Sequence, residues 1–286
     1  MQPSVAASPR WWLWPTILSL DAPAVVLLWQ WLLSRSASVA PGAAEALVLG
    51  TSVWLAYAAD RWIEGWRLVP EAIRTHRHRF YLRRRWPIAA AWLAVLAIDL
   101  SAAIGGLTRA ELLAGSLMLP AVAAYLFSHQ LVHRDWRWRP PKEACVALLL
   151  GWGSAVLVAS RPGAQIRAMG APLALFVLLC FSNCALISLW EDEIDRSHGQ
   201  TSLALQLGGA AGFARLLPWA ISIASGAAWI GMGGAAGAAA PCGAASGALL
   251  GLVDLAERRT GHVLSRVLAD VALMTPAVPL IFRSLS

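Results

Sequence analysis

The stretch Trp190-Glu-Asp-Glu-Ile-Asp-Arg-Ser-His-Gly-Gln-Thr-Ser-Leu-Ala-Leu-Gln-Leu-Gly208 ends a long apolar run over residues 171–190 with a pair of acids, Glu191 and Asp195. The spacing is i,i+4, so both carboxylates lie on one helix face about one turn apart. A second pair, Asp60 and Glu64, repeats the spacing after the apolar stretch 51–59, and an arginine follows the aspartate of each pair, as Arg61 and Arg196. Carboxylates at a membrane boundary are costly to keep and usually serve a function. Two matched pairs point to a shared site for a divalent cation, and so for a phosphorylated substrate.

Composition sets the surroundings of these acids. The chain has 286 residues, of which 58% are hydrophobic and only 14% charged, against about 25% charged in ordinary soluble domains. With a mean hydropathy of +0.59, it reads as a polytopic membrane protein whose natural unit is one helical bundle over residues 1–286. The net charge of +7 is almost all arginine, Lys142 being the only lysine. Hydropathy assigns that excess to the positive-inside rule and not to nucleic acid. Cys145, Cys180, Cys184 and Cys242 all fall in apolar segments without His or carboxylate at metal-ligand spacing, so they read as small buried hydrophobes. Trp11, Trp12 and Trp14 after Arg10 read as an interfacial anchor of a retained first helix, not as a removed signal peptide.

A span needs about 20 apolar residues. That ruler gives nine candidates: 17–35, 43–62, 86–104, 110–128, 143–160, 171–190, 212–231, 234–253 and 263–282. With these spans, eighteen of the 23 Lys and Arg fall on one side, and five (Arg35, Arg109, Arg161, Arg167, Arg283) on the other. The asymmetry places the N-terminus and both acidic pairs on the cytoplasmic side. Gly243, Gly247 and Gly251 recur every fourth residue in the eighth span and allow close helix approach, either within the bundle or at a dimer face.

The second acidic segment resembles the second aspartate-rich motif of the UbiA superfamily of intramembrane prenyltransferases. Glu191 and Asp195 take its acidic positions, Gly199 and Gly208 its flanking glycines, and Thr201-Ser202-Leu203 its middle. The segment Tyr57-Ala-Ala-Asp60-Arg61-Trp-Ile-Glu64-Gly65 resembles the back half of the family's first motif, N-D-x-x-D-x-x-x-D, with Ala56 and Tyr57 where Asn-Asp leads. Leu20-Asp21-Ala-Pro23 is similar to the family's L-D-K-P near the N-terminus. The resemblance implies an all-α bundle of nine transmembrane helices around a lipid-accessible cavity. It also implies Mg²⁺ held by Asp60, Glu64, Glu191 and Asp195, an isoprenyl diphosphate as donor, and transfer of the isoprenyl group to a lipophilic acceptor. Elementary chemistry agrees: diphosphate leaves only when its charge is neutralised, which Mg²⁺ and Arg or Lys can do, and a polyprenyl tail needs an apolar tunnel.

Candidate diphosphate-binding cations are Arg61, Arg67, Arg74, Arg77, Lys142 and Arg196. The basic loop 74–85 also serves anchoring to anionic headgroups. His76 and His78, at i,i+2, are poorly spaced for a shared zinc face. Asp21 reads as a cap before Pro23, Asp270 as a partner of Arg266, Asp99 as lying away from the acidic pairs, and Asn183 as lining the cavity or, the safer reading, making an interhelical hydrogen bond. Alternative readings on the same scaffold are a terpene cyclase, a non-catalytic isoprenoid binder, or a transporter in which Asp99 and Asp270 face one midplane cavity.

Overall fold

The computed structural model describes residues 8–40, 42–67, 75–131, 141–197, 202–206, 209–232 and 237–284. Among them there is no strand. A short 3-10 turn (Trp11–Leu13) leads into α1 (Trp14–Ile17) and α2 (Asp21–Ser36). α3 (Ala43–Arg67), α4 (His76–Arg83) and α5 (Arg85–Gly106) follow, then α6 (Arg109–Ser116), α7 (Met118–Leu126) and a π turn (Phe127–Leu131). The second half holds α8 (Lys142–Ala159), α9 (Ile166–Trp190), α10 (Asp192–Ser197), α11 (Leu203–Gln206), α12 (Ala210–Gly231), α13 (Ala239–Thr260), α14 (His262–Ala272) and α15 (Ala277–Ser284).

Among the described residues, six helical segments are long and apolar enough to cross a membrane: Arg85–Gly106, Arg109–His129, Lys142–Ala159, Ile166–Trp190, Ala211–Gly231 and Ala239–Thr260. They make this an integral membrane protein. The other three sequence-predicted spans differ for identifiable reasons. The first is bent by 75° between Trp11–Ile17 and Asp21–Ser36, where Ser19 takes a positive φ of 60°. The second, α3, is a continuous helix of 25 residues, but it carries Glu45, Asp60, Arg61, Glu64 and Arg67. The ninth is broken into α14 and α15.

Local chemistry explains several boundaries. Thr108 and Glu111 form a reciprocal capping box at the start of α6. Thr75 caps α4 by accepting the His78 backbone N–H. Gly261, at φ 78°, lets the chain turn from α13 into α14.

The core lies between α2, α9, α13 and α14. Trp29 and Phe176 are fully buried and stack with ring centroids 4.8 Å apart. The Trp29 indole donates to Leu273 O at 2.9 Å, which satisfies its polar edge and ties α2 to the end of α14. The α13 glycines face the bundle of the same chain. A Cβ at Gly247 would lie 2.6 Å from Pro218 O, and one at Gly243 would lie 2.3 Å from Leu175 Cδ2. Of the two sequence readings of this stripe, packing within the bundle is the one these contacts satisfy.

Candidate functional site

Six elements, α3, α4, α8, α9, α10 and α14, converge on the charged end of one cavity of about 550 Å³. α3 brings Asp60 and Glu64, because residues four apart share a face. α9 ends at Trp190, and α10 continues after one turn residue. The Asp195 N–H donates to Glu191 O at 2.8 Å, which keeps the helical register across the break, so both acids line the cavity. α4 contributes Arg77 and α14 contributes Arg266, while α8 contributes Lys142 and Glu143 from its first turn.

The acids do not stand alone. Glu191 Oε2 accepts from Arg266 Nη1 at 2.6 Å and from Arg77 Nη2 at 3.1 Å. Burial alone would push the Glu191 carboxyl up, but Arg266 and Arg77 outweigh it and hold the group well below the usual carboxylate range. Burial and the neighbouring Arg266 push the Arg77 guanidinium down, against the pull of Glu191. Asp195 Oδ2 accepts from Lys142 Nζ at 3.4 Å. Glu64 Oε2 lies 2.9 Å from His78 Nε2, and the other ring nitrogen of His78 lies 2.6 Å from Thr75 Oγ1. Thr75 and Glu64 thereby fix the orientation of the buried imidazole.

The sequence-predicted residues divide in space. Asp60, Glu64, Glu191, Asp195, Arg61, Arg77 and Lys142 all line the cavity. Arg61 is nevertheless engaged elsewhere, donating to Thr16 O at 2.5 Å and Ser19 Oγ at 3.0 Å. Arg196 does not line the cavity. It is exposed and pairs with Asp192 at 3.4 Å, because neighbouring helix positions point about 100° apart and Asp195 takes the inward direction. Arg74 lies outside the described residues, and of Arg67 only the backbone is described.

Three contributors escaped the sequence reading. Arg266 turns to Glu191, while Asp270 accepts from Asn183 Nδ2 at 2.9 Å. The spacing signal that suggested an Arg266–Asp270 pair was real as proximity but misassigned the partner. His78 sits in the basic stretch between Arg77 and Arg79, and Glu143 follows Lys142, so nothing local set either apart as a cavity residue.

The remainder of the cavity is an apolar bore between α3, α5, α6, α7 and α8, lined by residues such as Leu49, Leu100, Val122 and Leu150. Tyr57 lines it one turn before Asp60. Asp99 lines the bore as well, at a level away from the acidic pairs. Asp99 accepts from Thr51 Oγ1 at 2.5 Å and from Ser52 Oγ at 3.1 Å. Ser52 is eight residues from Asp60 along α3, about 12 Å. Asp270 lines a separate space of about 30 Å³, so Asp99 and Asp270 do not share the single cavity that the transporter alternative requires.

Mg²⁺ can be tested against this donor set. Among the described residues, no three His, Cys, Asp or Glu side chains form a ready-made cage. Mg²⁺, however, is usually bound by one or two carboxylates with phosphate oxygens and water completing its shell. The polar end presents five carboxylates (Asp60, Glu64, Glu143, Glu191, Asp195) to four Lys and Arg side chains (Arg61, Arg77, Lys142, Arg266). A diphosphate would add negative charge to an end already short of positive charge. The set therefore suits a divalent cation that enters with the diphosphate.

No protein-family model matches the sequence, and no curated protein matches it. The apo structure of a UbiA homolog from Aeropyrum pernix K1 is similar to this one, with a TM-score of 0.61 at 21% identity over 93% of this chain and 98% of that one. The shared architecture extends over nearly the whole of both chains, and the fold of this protein is that of a UbiA homolog.

Proposed function

We propose that this protein is a Mg²⁺-dependent membrane prenyltransferase of the UbiA superfamily, a single domain of nine membrane segments with its N-terminus and acidic loops on the cytoplasmic side. It takes an isoprenyl diphosphate and transfers the isoprenyl group to a lipophilic acceptor. One observation carries the reading: a single cavity joins a charged end, with Arg77, Lys142 and Arg266 among carboxylates, to an apolar bore. That polarity matches an amphiphile with a diphosphate head and a hydrocarbon tail.

Asp60, Glu64 and Asp195 would hold Mg²⁺ with the diphosphate, and the metal supplies charge neutralisation of the leaving group. Glu191 acts through the two arginines it orients. Arg77, Arg266 and Lys142 then donate to diphosphate oxygens and stabilise the charge that develops on them. The bore holds the tail and excludes water from the allylic cation, which would otherwise be captured as an alcohol.

The test is diphosphate release from farnesyl diphosphate by purified full-length protein. Release is expected to require Mg²⁺, to stop with a chelator, and to fall by at least about a hundred-fold in Asp60→Asn and Asp195→Asn. Undiminished release in both variants would place the chemistry elsewhere.

A further inference from the structure

Asp99 is a carboxylate set in the wall of an apolar bore. From α5, residues 85–98 do not line the cavity, and Asp99 is the first that does. Its carboxylate meets Ser52 of α3 at 3.1 Å, about two helical turns along α3 from Asp60. An acid in a hydrocarbon-binding wall is costly and marks a functional candidate.

Its hydrogen bonding is incomplete. An aspartate carboxylate has about four lone-pair sites. The donors that reach it are the hydroxyls of Thr51, at 2.5 Å, and of Ser52, at 3.1 and 3.2 Å. Each hydroxyl carries a single hydrogen. The Thr51 hydroxyl also lies 2.7 Å from Leu47 O and 3.2 Å from Val48 O, which compete for it. Among the described residues, no Lys, Arg or His forms a salt bridge with Asp99. Asp99 is 8% exposed and lines the bore, so its remaining lone pairs are met from the bore, by water or by a donor on a ligand. A hydrocarbon has no such donor. A tail drawn past Asp99 must strip its water, and a buried polar group left unpaired is costly.

The distance to that point is short. Ser52 lies about 12 Å along α3 from Asp60, and an extended isoprene unit advances about 4–5 Å, being four carbons at bonds of about 1.5 Å. About two units fit before Asp99, and a third reaches it.

We propose that Asp99, with Ser52, sets the length of the isoprenyl donor. The cavity takes donors of two or three isoprene units and discriminates against those of four or more. The proposal rests on the prenyl-transfer reading above and narrows its substrate class. Asp99 meets the end of the tail and not the reacting atoms, so it decides selectivity and takes no part in bond breaking.

The experiment measures binding of geranyl, farnesyl and geranylgeranyl diphosphate to the full-length protein in nanodiscs with Mg²⁺, at equal mole fractions in the bilayer. Hydrophobic burial alone favours the longest tail. The native protein is expected instead to bind the two shorter donors at least about ten-fold more tightly than geranylgeranyl diphosphate. Asp99→Leu replaces the two oxygens with methyl groups of similar shape. Combined with Ser52→Ala, which removes the hydroxyl it strands, it is expected to abolish that preference. Asp99→Asn keeps an oxygen for both hydroxyls and serves if the double variant does not fold. It is expected to narrow the preference by several-fold, because an uncharged amide gives up water more cheaply than a carboxylate. A role confined to tying α3 to α5 predicts that all three donors weaken together in the variants, and that result overturns the proposal. So does a native preference that survives in both variants. If the native protein binds geranylgeranyl diphosphate as tightly as the shorter donors, the length assignment falls and the prenyl-transfer reading stands. If it binds none of the three, both fall.

Discussion

Arg266 donates to Glu191 at 2.6 Å across 75 residues of sequence, and the same carboxylate oxygen accepts from Arg77. One buried acid therefore holds two arginines from different helices over the cavity. Removing it leaves two buried cations facing each other, a loss of about 3–5 kcal/mol for a broken buried pair. Glu191→Gln is expected to lower the melting temperature of the purified protein and to weaken farnesyl diphosphate binding together.

The same pair gives a pH dependence of known sign. The folded-state pKa of Glu191 is depressed from the usual value of 4.5. Its contribution to stability is thus fully present above pH 4.5 and declines as the pH falls below that value toward the depressed one. Melting curves taken from pH 7 down to pH 3 are expected to show this decline in the native protein and a shallower one in Glu191→Gln. Equal slopes would mean that the arginines do not hold the carboxylate ionised.

His78 is placed to orient Glu64, since its two ring nitrogens are fixed by Glu64 and Thr75. Partners of this kind typically change metal affinity or activity by about 10–100-fold when removed. His78→Asn is expected to raise the Mg²⁺ concentration needed for half-maximal diphosphate release, with little change in melting temperature relative to Glu191→Gln.

Tyr57 lines the cavity at i−3 from Asp60, where the resembled motif carries an aspartate. Tyr57→Asp adds a third carboxylate to that face of α3. It is expected to lower the Mg²⁺ requirement of diphosphate release by several-fold. An unchanged Mg²⁺ titration would show that the first acidic pair does not face the metal.

Gly247 and Gly243 test the packing of α13. A Cβ at Gly247 meets backbone atoms of α12, Pro218 O at 2.6 Å and Ser222 N at 2.8 Å, whereas one at Gly243 meets the side chain of Leu175. Backbone cannot rotate away, so Gly247→Ala is expected to cost about 1–3 kcal/mol, and Gly243→Ala less. The comparison is read as the difference in melting temperature.

The sequence alone determined that this is a helical membrane protein with two acid pairs on helix faces. Hydropathy and i,i+4 spacing are local properties, readable from a run of 20 residues. It also indicated the likeness of residues 190–208 to a diphosphate-binding motif, and Asp60, Glu64, Glu191 and Asp195 do line one cavity.

Only the tertiary structure decided which cations join them. Arg196 sits beside Asp195 in sequence but faces outward, while Arg266 and Arg77 arrive from 75 and 114 residues away. In a chain whose loops are rich in arginine, composition cannot say which ones turn inward. Glu143 was invisible for the same reason. It lines the cavity with one carboxylate oxygen on the Leu203 N–H, and whether a polar atom is satisfied depends on what the rest of the chain packs against it.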